Sequence, residues 1–115
     1  MGLQISSRKS GDVVVLDLQG RATIGRANEE LSTQLRSLID SGNRKILVNL
    51  SGVSQIDSSG ISTIVRSFVT IRRHGGILKL VHATGHVFEV LELTRLIQTI
   101  PSFNDEPAAL ASFTS

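Results

Sequence analysis

Two neighbouring stretches decide the fold of this chain: Ile46-Leu47-Val48-Asn49-Leu50 and the turn Ile56-Asp57-Ser58-Ser59-Gly60. The first is short, apolar and rich in branched side chains, which predicts a buried strand. Residues 61–73 carry apolar side chains at helical spacing, which predicts a helix with one apolar face. The turn therefore places Ser58 where a strand is followed by a helix. Unpaired backbone N–H groups and the helix dipole favour negative charge at such a point, so it suits a phosphate.

Strand-like and helix-like segments alternate along the rest of the chain. We predict strands at residues 3–8, 13–18 and 77–81, with the first two joined as a hairpin by the turn at residues 10–12 and Gly20 ending the second. We predict helices at residues 27–40 and 61–73, a shorter one around Val87 to Leu91, and one that opens near Pro107. Residues 97–100 read as a last short strand before Pro101.

Strands separated by helices of these lengths indicate parallel pairing, and the hairpin adds an antiparallel edge. The prediction is a single α/β domain over residues 1–115, with a small, mixed but mostly parallel sheet and helices packed mainly on one side. Functional groups in such sheets gather outside the carboxyl ends of the strands. Asp57 and Ser58 lie there, a few residues beyond the strand at Ile46.

Composition narrows the classes of function. The 115 residues contain no cysteine, which excludes disulfides, thiolate nucleophiles and cysteine-ligated zinc, and fits a reducing cytoplasm. No apolar run approaches the roughly 20 residues of a membrane helix, and the N-terminal residues lack a signal-peptide pattern, so we expect neither membrane nor secretion. Scattered basic pairs and only four phenylalanines argue against nucleic-acid binding. No phosphate-binding glycine loop or metal-ligand cluster is apparent, so we expect no cofactor and no metal.

The turn has two readings when taken alone. Asp and Ser are preferred helix caps and Gly60 relieves crowding, so a purely structural cap is the more frequent explanation. However, Gly20, the strand ending in Asn49-Leu50, the turn at residues 56–60 and Gly75-Gly76 together resemble a STAS domain of the bacterial anti-sigma factor antagonists. The likeness extends from about Leu3 to Phe113.

This resemblance implies a function and roles for the turn residues. Ser58 would be phosphorylated by a partner kinase that is also the anti-sigma factor, while Ser59 supports the turn and Asp57 orients the hydroxyl. Unphosphorylated, the surface around Ser58, which includes Gly60, and the face of the following helix would bind the anti-sigma factor and release a sigma factor. A phosphatase would reset the switch. The chain would then catalyse nothing, and would act as a monomer or weak homodimer.

One departure from the family pattern bears on the partner. Many antagonists carry an acidic residue just after the strand-ending glycine, whereas this chain has Arg21-Ala22-Thr23. We therefore place Arg21 and Thr23 among the candidate partner contacts, with a solvated Arg21 as the plain alternative.

Three alternatives compete with this interpretation, and the first of them remains open. A non-switching STAS scaffold of a stressosome-like or sensory assembly would use the same fold in a large oligomer. A receiver-like domain in which Asp57 accepts the phosphate needs an acidic pair after its first strand, and the residues around Thr23 supply none.

An enzyme or a metal site is also disfavoured. A hydrolase would need a G-x-S-x-G elbow around Ser58, which is absent. His82 and His86 are separated by a predicted loop, which disfavours a metal pair.

Overall fold

The computed structural model, which describes residues 2–114, places five strands side by side in the order in which they occur along the chain. The first strand is antiparallel to the second, and every other neighbouring pair is parallel. The elements are β1 (Leu3–Ser10), β2 (Val13–Ala22), α1 (Arg26–Asp40), β3 (Lys45–Ile56), α2 (Ser58–Arg73), β4 (Ile77–Val81), α3 (Gly85–Leu93), α4 (Leu96–Thr99), β5 (Ser102–Phe103) and α5 (Glu106–Ser112).

One face of the sheet carries the larger hydrophobic core. Alternate strand residues, such as Leu16 in β2 and Val48 in β3, point to this face and pack with residues of α1 to α4. Helix α1 contributes Leu31, Leu35 and Ile39, which recur at the predicted helical spacing and are buried. The prediction of a mostly parallel sheet with helices mainly on one side is confirmed.

The opposite face, which we call the back face, is covered by α5. Here Val15, Leu47 and Val81 pack with Ala109 and Phe113. Because successive strand residues point to opposite faces, these side chains interleave with those of the larger core in sequence. The back face therefore holds a second, smaller core.

Polar side chains at the back face are paired. Arg8 Nε donates to Asp17 Oδ2 at 2.7 Å, and the Arg8 Nη2 group donates to Glu106 Oε1 at 2.6 Å. Lys79, only 8% exposed, donates to Ser112 Oγ at 2.8 Å and lies 4.7 Å from the centre of the Phe113 ring. Desolvation lowers the pKa of Lys79. These contacts attach both ends of α5 to the sheet.

Two central strands are longer than predicted. Strand β2 continues past Gly20 to Ala22, and β3 runs to Ile56, because the two remain paired in parallel as far as Ala22 opposite Ile56. Register irregularities between Asp17 and Gln19 and between Gly20 and Arg21 interrupt the period-two pattern, which is why residues 19–22 do not read as a strand. Gly20, at φ 114°, accommodates this irregularity instead of ending the strand. Asp57 follows β3 directly.

The prediction of a strand at residues 97–100 is wrong. That segment is the helical turn α4, and the last strand follows Pro101 as β5. Leu96, Ile97 and Ile100 have the i, i+1, i+4 spacing of one helical face, and all three pack on the larger core. Helix α2 also begins earlier than predicted, at Ser58 instead of Ile61.

Candidate functional site

Asp57 is the N-cap of α2. Its Oδ1 accepts hydrogen bonds from the backbone N–H groups of Ser59, at 2.9 Å, and Gly60, at 3.2 Å. These are two of the N–H groups that a helix leaves without a partner in its first turn. Asp57 therefore performs the capping, and Ser58, the first helical residue, does not.

The same carboxylate ties α2 to the loop between β2 and α1. Asp57 Oδ2 accepts from the backbone N–H of Ile24 at 2.9 Å, and the Asp57 N–H donates to the Ala22 carbonyl at 3.3 Å. Desolvation raises the pKa of Asp57, but hydrogen bonds from Ile24, Gly60 and Ser59 outweigh it and hold the pKa below its usual value. The carboxylate stays ionised at neutral pH.

Gly60 allows the start of α2 to lie against the end of β2. A Cβ at this position would lie 2.3 Å from the Ala22 carbonyl oxygen and 2.9 Å from Cγ1 of Ile56. Since Gly60 is itself buried, the backbone has no room to move aside. The glycine is needed for close packing.

Ser58 is exposed, and its hydroxyl makes no hydrogen bond to any of residues 2–114. It opens onto a surface cavity of about 620 Å³ that also involves α1 and the α3–α4 junction. The cavity is lined by Asn28, Ser58, Ser59, Ile61, Ser62, Val65, Arg66, Thr94 and Leu96. We call it the Ser58 cavity. A free hydroxyl at a helix N-terminus beside a wide opening is accessible to another protein.

Two exposed apolar side chains lie close to this site. Ile24, whose N–H binds Asp57, is 79% exposed, and Leu93, which directly precedes the cavity residue Thr94, is 84% exposed. They add apolar area to a surface that is otherwise lined by polar and apolar side chains alike. Thr63 and Asn28, joined by a 2.6 Å hydrogen bond, hold α1 against α2 beneath this surface.

The structure brings together most of the predicted site residues. Asp57, Ser58, Ser59 and Gly60 form the start of α2, and Thr23, half-buried, adjoins Ile24 in the neighbouring loop. Arg21 lies apart from them on β2, opposite Gln55, exposed and without an ion pair to any described residue.

Sequence reasoning missed several residues of the site. Ile24, Asn28, Leu93, Thr94 and Leu96 come from segments far from Ser58 in the chain. The available signal was that Ile24 lies in a turn and that Leu93, at the end of α3, lies outside the apolar face formed by Val87 and Leu91.

Other site classes gain no support from the described residues. Within residues 2–114, no group of three or more His, Asp or Glu side chains could hold a metal ion. The helices found there are too short or too polar to cross a membrane. His86 Nε2 lies 3.4 Å from the Ile56 carbonyl, and His82 follows β4 with a φ of 60°.

The comparisons with known proteins agree with this geometry. The STAS domain model matches residues 4–109. BtrV of Bordetella bronchiseptica, named as an anti-sigma factor antagonist, is 27% identical over 111 residues, which make up 96% of this chain and 95% of BtrV. A crystal structure from Thermotoga maritima, described as an anti-sigma factor antagonist, has 26% identity and a TM-score of 0.84, covering 96% of this chain and 95% of that one.

SpoIIAA shares the fold in two phosphorylation states. In its unphosphorylated form, this anti-sigma factor antagonist has 20% identity and a TM-score of 0.72 over 96% of each chain. The phosphorylated form, from Bacillus, has 20% identity and a TM-score of 0.71, covering 93% of this chain and 96% of that one. The resemblance predicted from the sequence is thus confirmed: the chain belongs to the STAS domain family, with anti-sigma factor antagonists as relatives over nearly its whole length.

Proposed function

We propose that this chain, acting as a single domain, is an anti-sigma factor antagonist that phosphorylation of Ser58 switches off. Its partner would be an anti-sigma factor that is also a serine kinase. One observation at the start of α2 carries this proposal. Asp57 makes the capping hydrogen bonds, and the exposed Ser58 hydroxyl makes none. A serine without a structural task is available for modification.

The surroundings of Ser58 suit a protein partner. The Ser58 cavity and the exposed side chains of Ile24 and Leu93 offer a mixed polar and apolar surface. Such a composition is typical of interfaces that form and dissociate. Unphosphorylated, this surface would hold the anti-sigma factor and so leave the sigma factor free.

A phosphate on Ser58 would change this surface through its charge. Phosphoserine carries about −1.5 to −2 charges near neutral pH. The N-terminus of α2 tolerates that charge in water, but an interface would have to desolvate it beside the ionised Asp57. A hundredfold loss of affinity corresponds to about 2.7 kcal/mol, which such a charge can supply. A phosphatase would restore binding, and the chain itself would perform no catalysis.

The test combines the purified protein with ATP and the anti-sigma factor kinase encoded nearest to it. Intact mass and peptide mapping should show one phosphate on the wild type and on Ser59→Ala, the matched neighbouring serine, and none on Ser58→Ala. Ser58→Glu should lose affinity for the kinase. A stable complex in which Ser58 stays unmodified would contradict the switch and favour the non-switching scaffold.

A further inference from the structure

A second depression runs along the outer side of the helical layer, between α1 and α2. It has a volume of about 670 Å³. Val65 and Val69 line it together with three arginines, Arg36, Arg66 and Arg73. We call it the arginine groove. Apolar side chains and guanidinium groups thus share one surface on α1 and α2.

The arginines of this groove outnumber the carboxylates that line it by three to one. Helix α2 has three arginines and no acidic residue, and Asp40 is the one carboxylate among the described residues that line the groove. No ion pair within 4.0 Å joins Arg36, Arg66 or Arg73 to any carboxylate of residues 2–114. Arg8 shows the opposite behaviour at the back face, where it contacts two carboxylates. The groove is left with guanidinium groups that can pair with a partner.

The arginine groove is continuous with the Ser58 cavity. Val65 and Arg66 line both depressions. The resulting surface follows α2 from Ser58 to Arg73, which at 1.5 Å per residue is about 22 Å, the length of four helical turns. One segment of a partner could therefore contact the whole of it.

We infer that the arginine groove binds an acidic, amphipathic segment of the protein partner; this rests on the function proposed above. Carboxylates of the segment would pair with Arg36, Arg66 and Arg73, since the guanidinium group forms two parallel hydrogen bonds to a carboxylate. Its apolar side chains would pack on Val65 and Val69, as in helix-in-groove recognition. The residues that line the groove include no aromatic side chain on which a base could stack, and the two valines match an apolar side chain, so a peptide segment is favoured over a nucleic acid.

This occupant gives phosphorylation a specific target. A phosphate on Ser58 would lie at one end of the surface that the acidic segment occupies. Like charges would then meet along α2, and the repulsion would add to the cost of desolvating the phosphate. The groove thus sets which partner binds, and Ser58 sets whether it binds.

The test measures the affinity of the anti-sigma factor kinase for three proteins at 50 and 500 mM NaCl. They are the wild type, the triple variant Arg36→Gln/Arg66→Gln/Arg73→Gln, and the control Lys9→Gln/Arg72→Gln. Arg72 neighbours Arg73 but lies outside the arginine groove, and Lys9 lies on β1. Gln preserves helix propensity, so all three should fold alike, which circular dichroism and thermal unfolding would check.

At 50 mM NaCl the triple variant should bind about 30-fold more weakly than the wild type, and the control should stay within about threefold. At 500 mM NaCl the wild type and the triple variant should converge, because salt screens the lost ion pairs. Arg66→Glu should bind more weakly than Arg66→Gln, and Arg66→Lys should retain most of the affinity.

The experiment distinguishes a failure of the docking assignment from a failure of the proposed function. Equal affinity of wild type and triple variant, or a loss of affinity that salt does not change, overturns the docking assignment and leaves the proposed function intact. No binding by the wild type at either salt concentration overturns the proposed function and the assignment with it. Binding of a DNA duplex that the triple variant loses, with unchanged affinity for the kinase, makes the groove a nucleic-acid site and also overturns the assignment.

Discussion

The polar side chains of the back face form ion pairs and hydrogen bonds with one another, whereas several along helix α2 do not. At the back face, Arg8, Asp17 and Glu106 form an ion-pair cluster, and Asn49 Nδ2 donates to Asp17 Oδ1 at 2.7 Å. Along α2, the hydroxyl of Ser58 and the guanidinium of Arg66 have no partner among the described residues. Charged groups that pair internally contribute to the stability of the fold. Those left unpaired beside a cavity are free to meet another molecule.

The start of α2 joins both kinds of behaviour within four residues. Asp57 and Gly60 are structural, since one accepts three backbone hydrogen bonds and the other fills a gap too narrow for a Cβ. Ser58 lies between them, and its hydroxyl makes no hydrogen bond to any described residue. The comparison therefore predicts that substitutions at these neighbouring positions reduce the unfolding free energy by very different amounts.

Gly60→Ala should have the largest effect. The added methyl group would clash with the Ala22 carbonyl oxygen at 2.3 Å, and neither backbone segment can give way inside the core. We expect a loss of about 3 kcal/mol of unfolding free energy, measured by urea denaturation. Gly11→Ala is the control, because its Cβ would meet no atom within 4 Å and only the positive φ of 63° would cost about 1 kcal/mol. Equal losses in the two variants would show that the close approach at Gly60 is not rigid.

Asp57→Ala should come next. Removing the cap should cost about 1 to 2 kcal/mol, and Asp57→Asn, which keeps an acceptor oxygen, should cost less. The hydrogen bonds hold the folded pKa of Asp57 below the unfolded value of 3.8. The stabilisation is therefore complete above the unfolded pKa and declines as pH falls through the folded pKa.

Urea denaturation of wild type and Asp57→Ala between pH 7 and pH 2 would check this. The difference in unfolding free energy should shrink at the acidic end. A difference that stays constant with pH would mean that the charge of the carboxylate plays no part in the cap.

Arg8→Met tests the back face. Arg8 is 46% exposed, so solvent screens its ion pairs and we expect a loss of only about 1 kcal/mol at pH 7. Hydrogen bonds from Arg8 hold the pKa values of Asp17 and Glu106 below 3.8 and 4.5. The stabilisation should be present above pH 5 and be lost progressively as pH falls through the lowered values. Lys9→Met, on the same strand but without an ion pair to a described residue, should change stability little at any pH. Similar pH profiles for the two variants would argue against the cluster.

The sequence predicted the parts of this structure that depend on local patterns. The apolar spacing of Leu31, Leu35 and Ile39 appears where it is predicted, and so does the change from strand to helix next to Ser58, although the helix begins three residues earlier than predicted. The extension of β3 to Ile56 could not be predicted this way, because it depends on pairing with an irregular stretch of β2. Residues 97–100 have apolar ends that fit a strand or a helix turn, and only packing on the core decides between them.

The sequence predicts only those residues of the candidate site that are neighbours of Ser58 in the chain. Its contiguous residues could be read from the turn, whereas Asn28 and Thr94 reach the Ser58 cavity through the packing of α1 and of the α3–α4 junction. The arginine groove likewise exists only because α1 and α2 lie side by side. Periodicity shows which face of a helix is buried, but not which other helix lies beside it.

Ser58→Ala should have the smallest effect on stability and the largest on partner exchange. Because the hydroxyl has no hydrogen-bond partner among the described residues and Asp57 supplies the cap, we expect a change in unfolding free energy below about 0.5 kcal/mol. Ser62→Ala, one turn further along α2 and also exposed, is the matched control and should behave alike in denaturation. Under the proposed function, the two variants should differ when an anti-sigma factor kinase and ATP are added, since only Ser58→Ala should keep that partner bound. A loss of 1 kcal/mol or more in Ser58→Ala alone would make the hydroxyl part of the cap, and the distinction between structural and idle residues in this turn would fail.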